Sequence, residues 1–170
     1  MLPVMLKVVP HFPKYQFVIA GVSSLDKALY KDIIGNADVF LVENQTYELL
    51  QNSSAALVTS GTATLETALF TVPEVVCYKA TDFSYRLAKW MIKVKFISLV
   101  NLVMDKEVIK ELIQGDLNEE NLAAELELLL HNSKRQRRLL EDYDELRYRM
   151  GNAGASEKAA EAICDALKKR

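Results

Sequence analysis

The fold of this 170-residue chain is decided by the segment SGTATLE, which runs from Ser60 to Glu66. The apolar run from Ala55 to Val58 predicts a buried strand before it, and the good helix formers from Ala63 to Leu69 predict a helix after it. A glycine turn between them lets backbone N–H groups converge on an anion at the positive end of the helix. The segment therefore predicts a phosphate site.

Side chains in the same segment extend this prediction to a sugar nucleotide. Hydroxyls of Ser60, Thr62 and Thr64 are expected close to the phosphate. Glu66 lies about one helical turn further in, where its carboxylate reaches a sugar hydroxyl but would repel a phosphate. The segment lacks the lysine of a Walker loop and the three glycines of a dinucleotide-binding loop. An ordinary helix cap with Glu66 on the solvated surface explains these residues equally well.

Other apolar runs predict the rest of an α/β fold. They are Phe17 to Ala20, Val39 to Val42, Val75 to Tyr78 and Phe96 to Val100. Because their apolarity is continuous, they indicate strands buried on both faces. Crossover helices are predicted over Ser24 to Ile34, Thr46 to Gln51 and Thr62 to Phe70. The expected fold is a Rossmann-like parallel sheet with helices on both faces and ligands beyond the carboxyl ends of its strands.

The chain is expected to become helical after residue 105. Asp105 suits the cap of a helix that buries Val108 and Leu112 and stops at Gly115, and Asn118 suits the cap of a second helix. Further helices are predicted from about Ser133 to Met150 and from Ser156 onward. We therefore divide the chain into a nucleotide-sugar-binding core, residues 1–104, and a C-terminal helical part of the same domain, residues 105–170.

Composition narrows the class of protein. The net charge of -2 gives no nucleic-acid footprint, and half of the residues are hydrophobic, as in a globular domain with a full core. Cys77 and Cys164 are interpreted as reduced packing thiols of a cytosolic protein. No apolar run reaches the roughly 18 residues of a membrane span, and a secretory signal is not expected.

Asp142 and Asp144 resemble a metal-binding DxD, but on a helix their carboxylates point roughly 200° apart, so no metal site is predicted.

A series of motifs in fixed order closely resembles the carboxyl-terminal half of lipid-A-disaccharide synthase. The motifs are SGTATLE at Ser60, PEVVCYK at Pro73, LAK at Leu87, SLVNL at Ser98 and KEL at Lys110. The resemblance runs from about Leu2 to the last helix. It implies one half of a GT-B glycosyltransferase, in which two Rossmann-like domains face each other across a cleft.

The resemblance also implies an activity. The family transfers 2,3-diacylglucosamine from UDP to 2,3-diacylglucosamine 1-phosphate, forms a β-1,6-linked disaccharide and releases UDP, without metal or cofactor. The implied location is the cytoplasmic face of the inner membrane of a Gram-negative bacterium, and a homodimer that exchanges carboxyl-terminal helices is expected. The amino-terminal half, with the proposed catalytic acid, and the family's Gly-Ser-Arg loop are expected to lie outside this chain, which alone is expected to be inactive.

Donor-binding residues follow from the resemblance position by position. Ser60, Gly61 and Thr62 would hold the diphosphate, and Glu66 would bond the uridine ribose, the roles that the residues themselves suggest. Asn101 would contact donor or acceptor, although Val100 stands where the family has proline, which leaves the shape of that loop open.

Three further groups of residues complete the predictions. Lys79 follows a predicted strand, where it would meet phosphate or simply be solvated. Asn44 and Gln45 also follow a strand and could read a uracil edge, although an Asx-turn or a helix cap explains Asn44 as well.

The segment from Phe83 to Phe96 contains basic and aromatic residues but no acidic residue. If this segment is a helix, one flank suits anionic lipid and is formed by Arg86, Lys89, Trp90 and Lys93. An ordinary crossover helix with solvated cations is the alternative. For the whole chain, the alternatives are another nucleotide-binding module and an interaction domain without small-molecule chemistry.

Overall fold

A computed structural model describes residues 1–59, 61–80, 95–151 and 154–168. The helices are α1 (Leu2–Leu6), α2 (Lys27–Ile34), α3 (Thr46–Gln51), α4 (Thr62–Leu69), α5 (Leu99–Met104), α6 (Glu119–His131), α7 (Ser133–Met150) and α8 (Ala155–Lys168). The strands are β1 (Phe17–Gly21), β2 (Val39–Glu43), β3 (Ala56–Val58), β4 (Glu74–Tyr78) and β5 (Lys110–Ile113). Short 3-10 turns occupy Val9–His11 and Gln114–Asp116.

Every strand pairing is parallel. β1 pairs with β2, with Phe17 opposite Val39, while β3, β4 and β5 form a second sheet in that order. The predicted α/β class, with parallel strands flanked by helices and followed by C-terminal helices, is confirmed, although the strands form two sheets rather than a single one. Parallel pairing places the carboxyl ends of the strands in each sheet at the same edge.

The core lies where the C-terminal helices pack on the second sheet. Val75, Val76 and Cys77 of β4 are completely buried, as a strand covered on both faces should be. One continuous cluster joins this strand to buried leucines of α6 and α7 and to Val8 and Phe12 near the amino terminus. Among the described residues, no helix is both long enough and apolar enough to span a membrane.

Two predicted elements are wrong. Phe96 to Val100 is not a strand, because Ser98 caps α5 by accepting a hydrogen bond from the N–H of Asn101 at 3.2 Å. The helix predicted from Asp105 to Gly115 is instead β5, which pairs with β4. A short apolar run such as Phe96 to Val100 looks alike in a strand and in a helix, and the apolar residues at 108, 109, 112 and 113 have the spacing of a helix face. Sequence periodicity therefore misassigned both segments.

Local signals located the other predicted helices well, whereas α1 was not predicted. α3 and α7 have the predicted bounds, and α4 starts at the predicted Thr62. α2 begins at Lys27 rather than at Ser24, because Asp26 is its cap and accepts a hydrogen bond from the N–H of Ala28 at 2.9 Å.

α7 fixes the carboxyl ends of two helices in the sheet region. Arg147 donates to the carbonyl of Leu69 at the end of α4 at 2.9 Å, and Arg149 donates to the carbonyl of Val103 in the last turn of α5 at 3.2 Å. A cation at a helix carboxyl end is favourable to the helix dipole. The contact from Arg147 holds α4 at its carboxyl end, and the amino end of α4 faces the opposite way.

Candidate functional site

The amino end of α4 is open in the described part of the chain. Gly61 is its N-cap and has φ 80° and ψ −153°, a conformation that only glycine adopts without strain. Apart from its chain neighbours, no described residue has an atom within 4 Å of the position that a Cβ would take, so conformation and not space requires glycine here. The hydroxyl of Thr64 donates to the carbonyl of Gly61 at 2.9 Å and so stabilises the turn.

Side chains cap the amino ends of α2, α5, α6 and α7, whereas α1, α3 and α4 have no side-chain cap among the described residues. Asn118 and Asn132 each accept a hydrogen bond from a backbone N–H in the helix they precede, at 2.9 Å. For α4 no side chain among the described residues does so, and its first turn carries no acidic residue. The exposed residues Gly61 and Thr62 therefore present the positive end of an eight-residue helix to solvent.

An open groove of about 330 Å³ lies beside this helix. Its walls are formed by Asn44, Thr46, Tyr47, Glu48 and Glu66. The groove thus brings together Asn44, from the loop after β2, and Glu66, from the second turn of α4. The sequence pointed to these two segments separately, and no single motif contains both.

The loop after β2 has an unusual backbone at the groove. Asn44 has φ 57°, a left-handed conformation that asparagine tolerates better than most residues. Its N–H donates to the carbonyl of Gly21 at 3.2 Å, which ties the carboxyl ends of β1 and β2 together. Among the described residues, neither the Asn44 amide nor the Glu66 carboxylate takes part in a side-chain hydrogen bond, and both line the groove.

Asn101 has a different role from the one predicted. It is completely buried, and its amide oxygen accepts the N–H groups of Val108 and Ile109 at 2.8 and 3.0 Å. Its amide nitrogen donates to the Ile109 carbonyl and to Glu111, each at 2.9 Å. All four hydrogen-bonding positions of the amide are therefore used within the protein. Asn101 serves the fold, and we leave it out of the proposed site.

The other predicted positions divide into two groups. Lys79 is exposed directly after β4, and Gln45 is exposed as the N-cap of α3. Neither is among the residues that line the groove. Ser60 and the predicted membrane contacts lie outside the described residues; these contacts are Arg86, Lys89, Trp90 and Lys93.

Sequence reasoning missed Tyr47 as a groove residue. Its ring stacks on Phe70, which follows α4, with ring centroids 5.4 Å apart and an interplanar angle of 25°. Position after a predicted strand was the only available signal, because nothing in the sequence links residues 47 and 70. Within residues 1–59, 61–80, 95–151 and 154–168, no group of three or more His, Cys, Asp or Glu side chains could hold a metal ion.

The fold and groove define an α/β protein with an uncapped helix amino end and a polar groove along the same helix. A family model described as lipid-A-disaccharide synthetase matches residues 6–165. Lipid-A-disaccharide synthase of Syntrophus aciditrophicus (strain SB) is 40% identical over 99% of this chain and 46% of that protein. The synthase of Anaeromyxobacter dehalogenans (strain 2CP-1) is 35% identical over 92% of this chain and 42% of that protein.

These similarities show the family. The chain belongs to the lipid-A-disaccharide synthetase family, a family of glycosyltransferases. It spans less than half the length of the curated relatives it matches.

Proposed function

We propose that this chain is the UDP-sugar-binding half of a lipid-A-disaccharide synthase. The single observation that carries the proposal is the groove that joins Glu66 of α4 to Asn44 of the neighbouring loop, on a helix whose amino end has no side-chain cap among the described residues. A nucleoside diphosphate offers groups for each part: an anion for the helix end, ribose hydroxyls for a carboxylate, and a polar base edge for an amide.

Each predicted donor-binding residue except Asn101 has a defined part in this proposal. The N–H groups of Gly61 and Thr62 hold the diphosphate, with the hydroxyl of Ser60 close by, and Glu66 bonds the ribose. The Thr64 hydroxyl already donates a hydrogen bond to the Gly61 carbonyl, so its contribution is to shape the turn. Asn44 and Gln45 face the base, and Lys79 supplies a positive charge for phosphate.

The proposed reaction is transfer of 2,3-diacylglucosamine from UDP to 2,3-diacylglucosamine 1-phosphate. The acceptor 6-hydroxyl attacks the anomeric carbon, the bond from that carbon to the UDP oxygen breaks, and the β-1,6 bond forms. Negative charge develops on the departing diphosphate, where the start of α4 stabilises it through N–H groups and the helix dipole. The acceptor proton goes to a base on the facing half, and no metal is required.

The proposed location is the cytoplasmic face of the inner membrane of a Gram-negative bacterium. Two acylated substrates support a place at the membrane surface, and the cations and aromatics of residues 83–96 would bind its anionic head groups. A homodimer through the carboxyl-terminal helices is part of the same proposal. It is supported by Ile163 and Leu167, two large apolar side chains of α8 that are exposed in the single chain.

Titration calorimetry of the chain with UDP, UMP and ADP tests donor binding. UDP should bind most tightly, because UMP lacks one phosphate for the start of α4 and ADP places a larger base in the groove. Glu141 of α7 is exposed, so Glu141→Gln serves as a control that should bind UDP like the wild type. Equal affinity for ADP, or no UDP binding, would contradict the proposal.

A chimera tests the reaction itself. Residues 6–165 of this chain would replace the matching part of the Syntrophus aciditrophicus synthase, which supplies the other half. The chimera should form the disaccharide from acylated substrates, whereas this chain alone should form none, because one wall of a cleft cannot orient donor and acceptor. Product from this chain alone would overturn the division of labour.

A further inference from the structure

Tyr47 is an exposed aromatic residue held in a fixed position. One face of its ring is stacked on Phe70, with centroids 5.4 Å apart, yet 54% of the residue remains exposed. The exposed part borders the groove that contains Glu66. Offset stacking of two aromatic rings restricts the orientation of both. The groove therefore has one flat, apolar and preorganised wall.

A flat wall at this place fits one part of a nucleotide. The phosphates are assigned to the start of α4 and the ribose to Glu66, so the base remains to be placed. Bases stack on aromatic side chains through their π-faces, whichever base is present. A ring that is already held by Phe70 loses little conformational freedom when a base covers its other face.

We propose that Tyr47 is the platform on which the base of the bound nucleotide stacks. This inference rests on the proposed function and names the contact that holds the nucleoside part of the donor. Stacking supplies affinity for any base, and the choice of uracil falls to polar groups such as the Asn44 amide. Tyr47 thus increases the affinity for the nucleoside part, and its removal should leave the diphosphate site at the start of α4 intact.

Two variants of Tyr47 and one control test the proposal by calorimetry with UDP. Tyr47→Leu removes the aromatic face and should raise the Kd for UDP about 10-fold or more. Tyr47→Phe keeps the face and should stay within about twofold of the wild type. Tyr148 of α7 is 88% exposed and away from the groove, so Tyr148→Leu should bind UDP like the wild type. Inorganic pyrophosphate, used as a competitor, should bind all four proteins equally.

NMR of the ligand separates stacking from a structural role. Stacking on Tyr47 shifts the uracil H5 and H6 signals of bound UDP upfield, and the shift should vanish in Tyr47→Leu and persist in Tyr47→Phe. If the wild type binds UDP and Tyr47→Leu binds it equally well, this inference fails while the proposed function stands. Equal weakening of UDP and pyrophosphate also overturns it, since that indicates a damaged fold. A wild-type chain that does not bind UDP overturns both proposals.

Discussion

Two helices of this protein meet a carboxylate near their beginnings in opposite ways. At α5, the Glu111 carboxylate accepts the N–H groups of Ile97 and Ser98, each at 2.9 Å, so the protein supplies its own anion. At α4, Gly61 leaves the helix start open, and Glu66 faces a groove instead of a backbone amide. The first cluster is closed and complete, whereas the second has hydrogen-bonding capacity to spare.

Hydrogen-bonding groups that the protein does not use itself, rather than polarity, distinguish a binding site from a structural cluster here. Both regions combine a helix start, a hydroxyl residue and a carboxylate, although the ligand contact predicted for Asn101 came from the family resemblance alone. In the closed cluster, Asn101 uses every position of its amide on neighbouring backbone and on Glu111. Mutations should therefore affect stability in one region and ligand affinity in the other.

The largest expected effect is that of Asn101→Ala. It leaves the N–H groups of Val108 and Ile109 buried without an acceptor, so the free energy of unfolding should fall by about 3 kcal/mol or more. Urea denaturation measures the change. Leu102→Ala, at a partly exposed position of the same helix, should cost clearly less. A stable Asn101→Ala protein with weakened UDP binding would return this residue to the ligand site and contradict the contrast between α5 and α4.

Gly61→Ala should have the next largest effect. At φ 80° and ψ −153° an alanine is strained, which costs about 1–3 kcal/mol of stability, and relief of that strain would misalign the first amides of α4. Gly115→Ala is the matched control, because its backbone is not left-handed and its Cβ position is equally free. Urea denaturation should show the difference, and UDP affinity should fall with Gly61→Ala alone. Equal stability and UDP affinity for both variants would show that the turn is not needed.

A third carboxyl group, that of Glu74, is buried without hydrogen-bond donors among the described residues, and its pKa is raised as a result. Glu74, at the start of β4, is completely buried, and neither of its oxygens has a hydrogen-bond partner in the part of the chain that the structure describes. The nearby Tyr143 hydroxyl donates to the Val72 carbonyl at 3.2 Å instead. Desolvation by burial raises the pKa of Glu74 well above its ordinary value, while its interaction with Tyr143 lowers the pKa in part. The folded protein therefore keeps a proton that the unfolded chain releases.

The free energy of unfolding should fall as the pH rises, because protonated Glu74 is favoured in the folded state. The contribution of Glu74 is fully present below the ordinary carboxyl pKa and is lost as the pH rises toward the raised pKa, by at most about 1.4 kcal/mol per pH unit. Glu74→Gln removes the titration, so its stability relative to the wild type should increase as the pH is raised from 5 to 7. Denaturation curves at several pH values measure this difference. A constant difference across that range would mean that Glu74 titrates normally.

The smallest expected effect belongs to Glu66→Gln in the open region. The loss of a charged acceptor for ribose should raise the Kd for UDP roughly fivefold, about 1 kcal/mol, without a change in stability. Calorimetry and a thermal melt give the two numbers. Unchanged UDP affinity would place Glu66 on the solvated surface, as the alternative interpretation of the sequence had it.

Local patterns predicted the fold better than they predicted the polar contacts. The strands β1 to β4 and the start of α4 follow from apolar runs, glycine and caps within a few residues. β5 was missed because the apolar residues at 108, 109, 112 and 113 have the spacing of a helix face. The roles of Asn101 and Tyr47 depend on partners that are distant in sequence or set by the path of the chain, such as Phe70 for Tyr47. The predicted roles of Lys79 and of residues 83–96 stay predictions.

The most direct test of the account is an amide-resolved NMR titration of this 19.2 kDa chain with UDP. The amide signals of Gly61, Thr62 and Asn44 should shift together and saturate with one Kd, because they surround the bound nucleotide. The amides of Val108 and Ile109, which are held by Asn101, should not move. Unshifted groove amides at millimolar UDP, or shifts centred on the α5–β5 cluster instead, would contradict the claim that the open region is the nucleotide site.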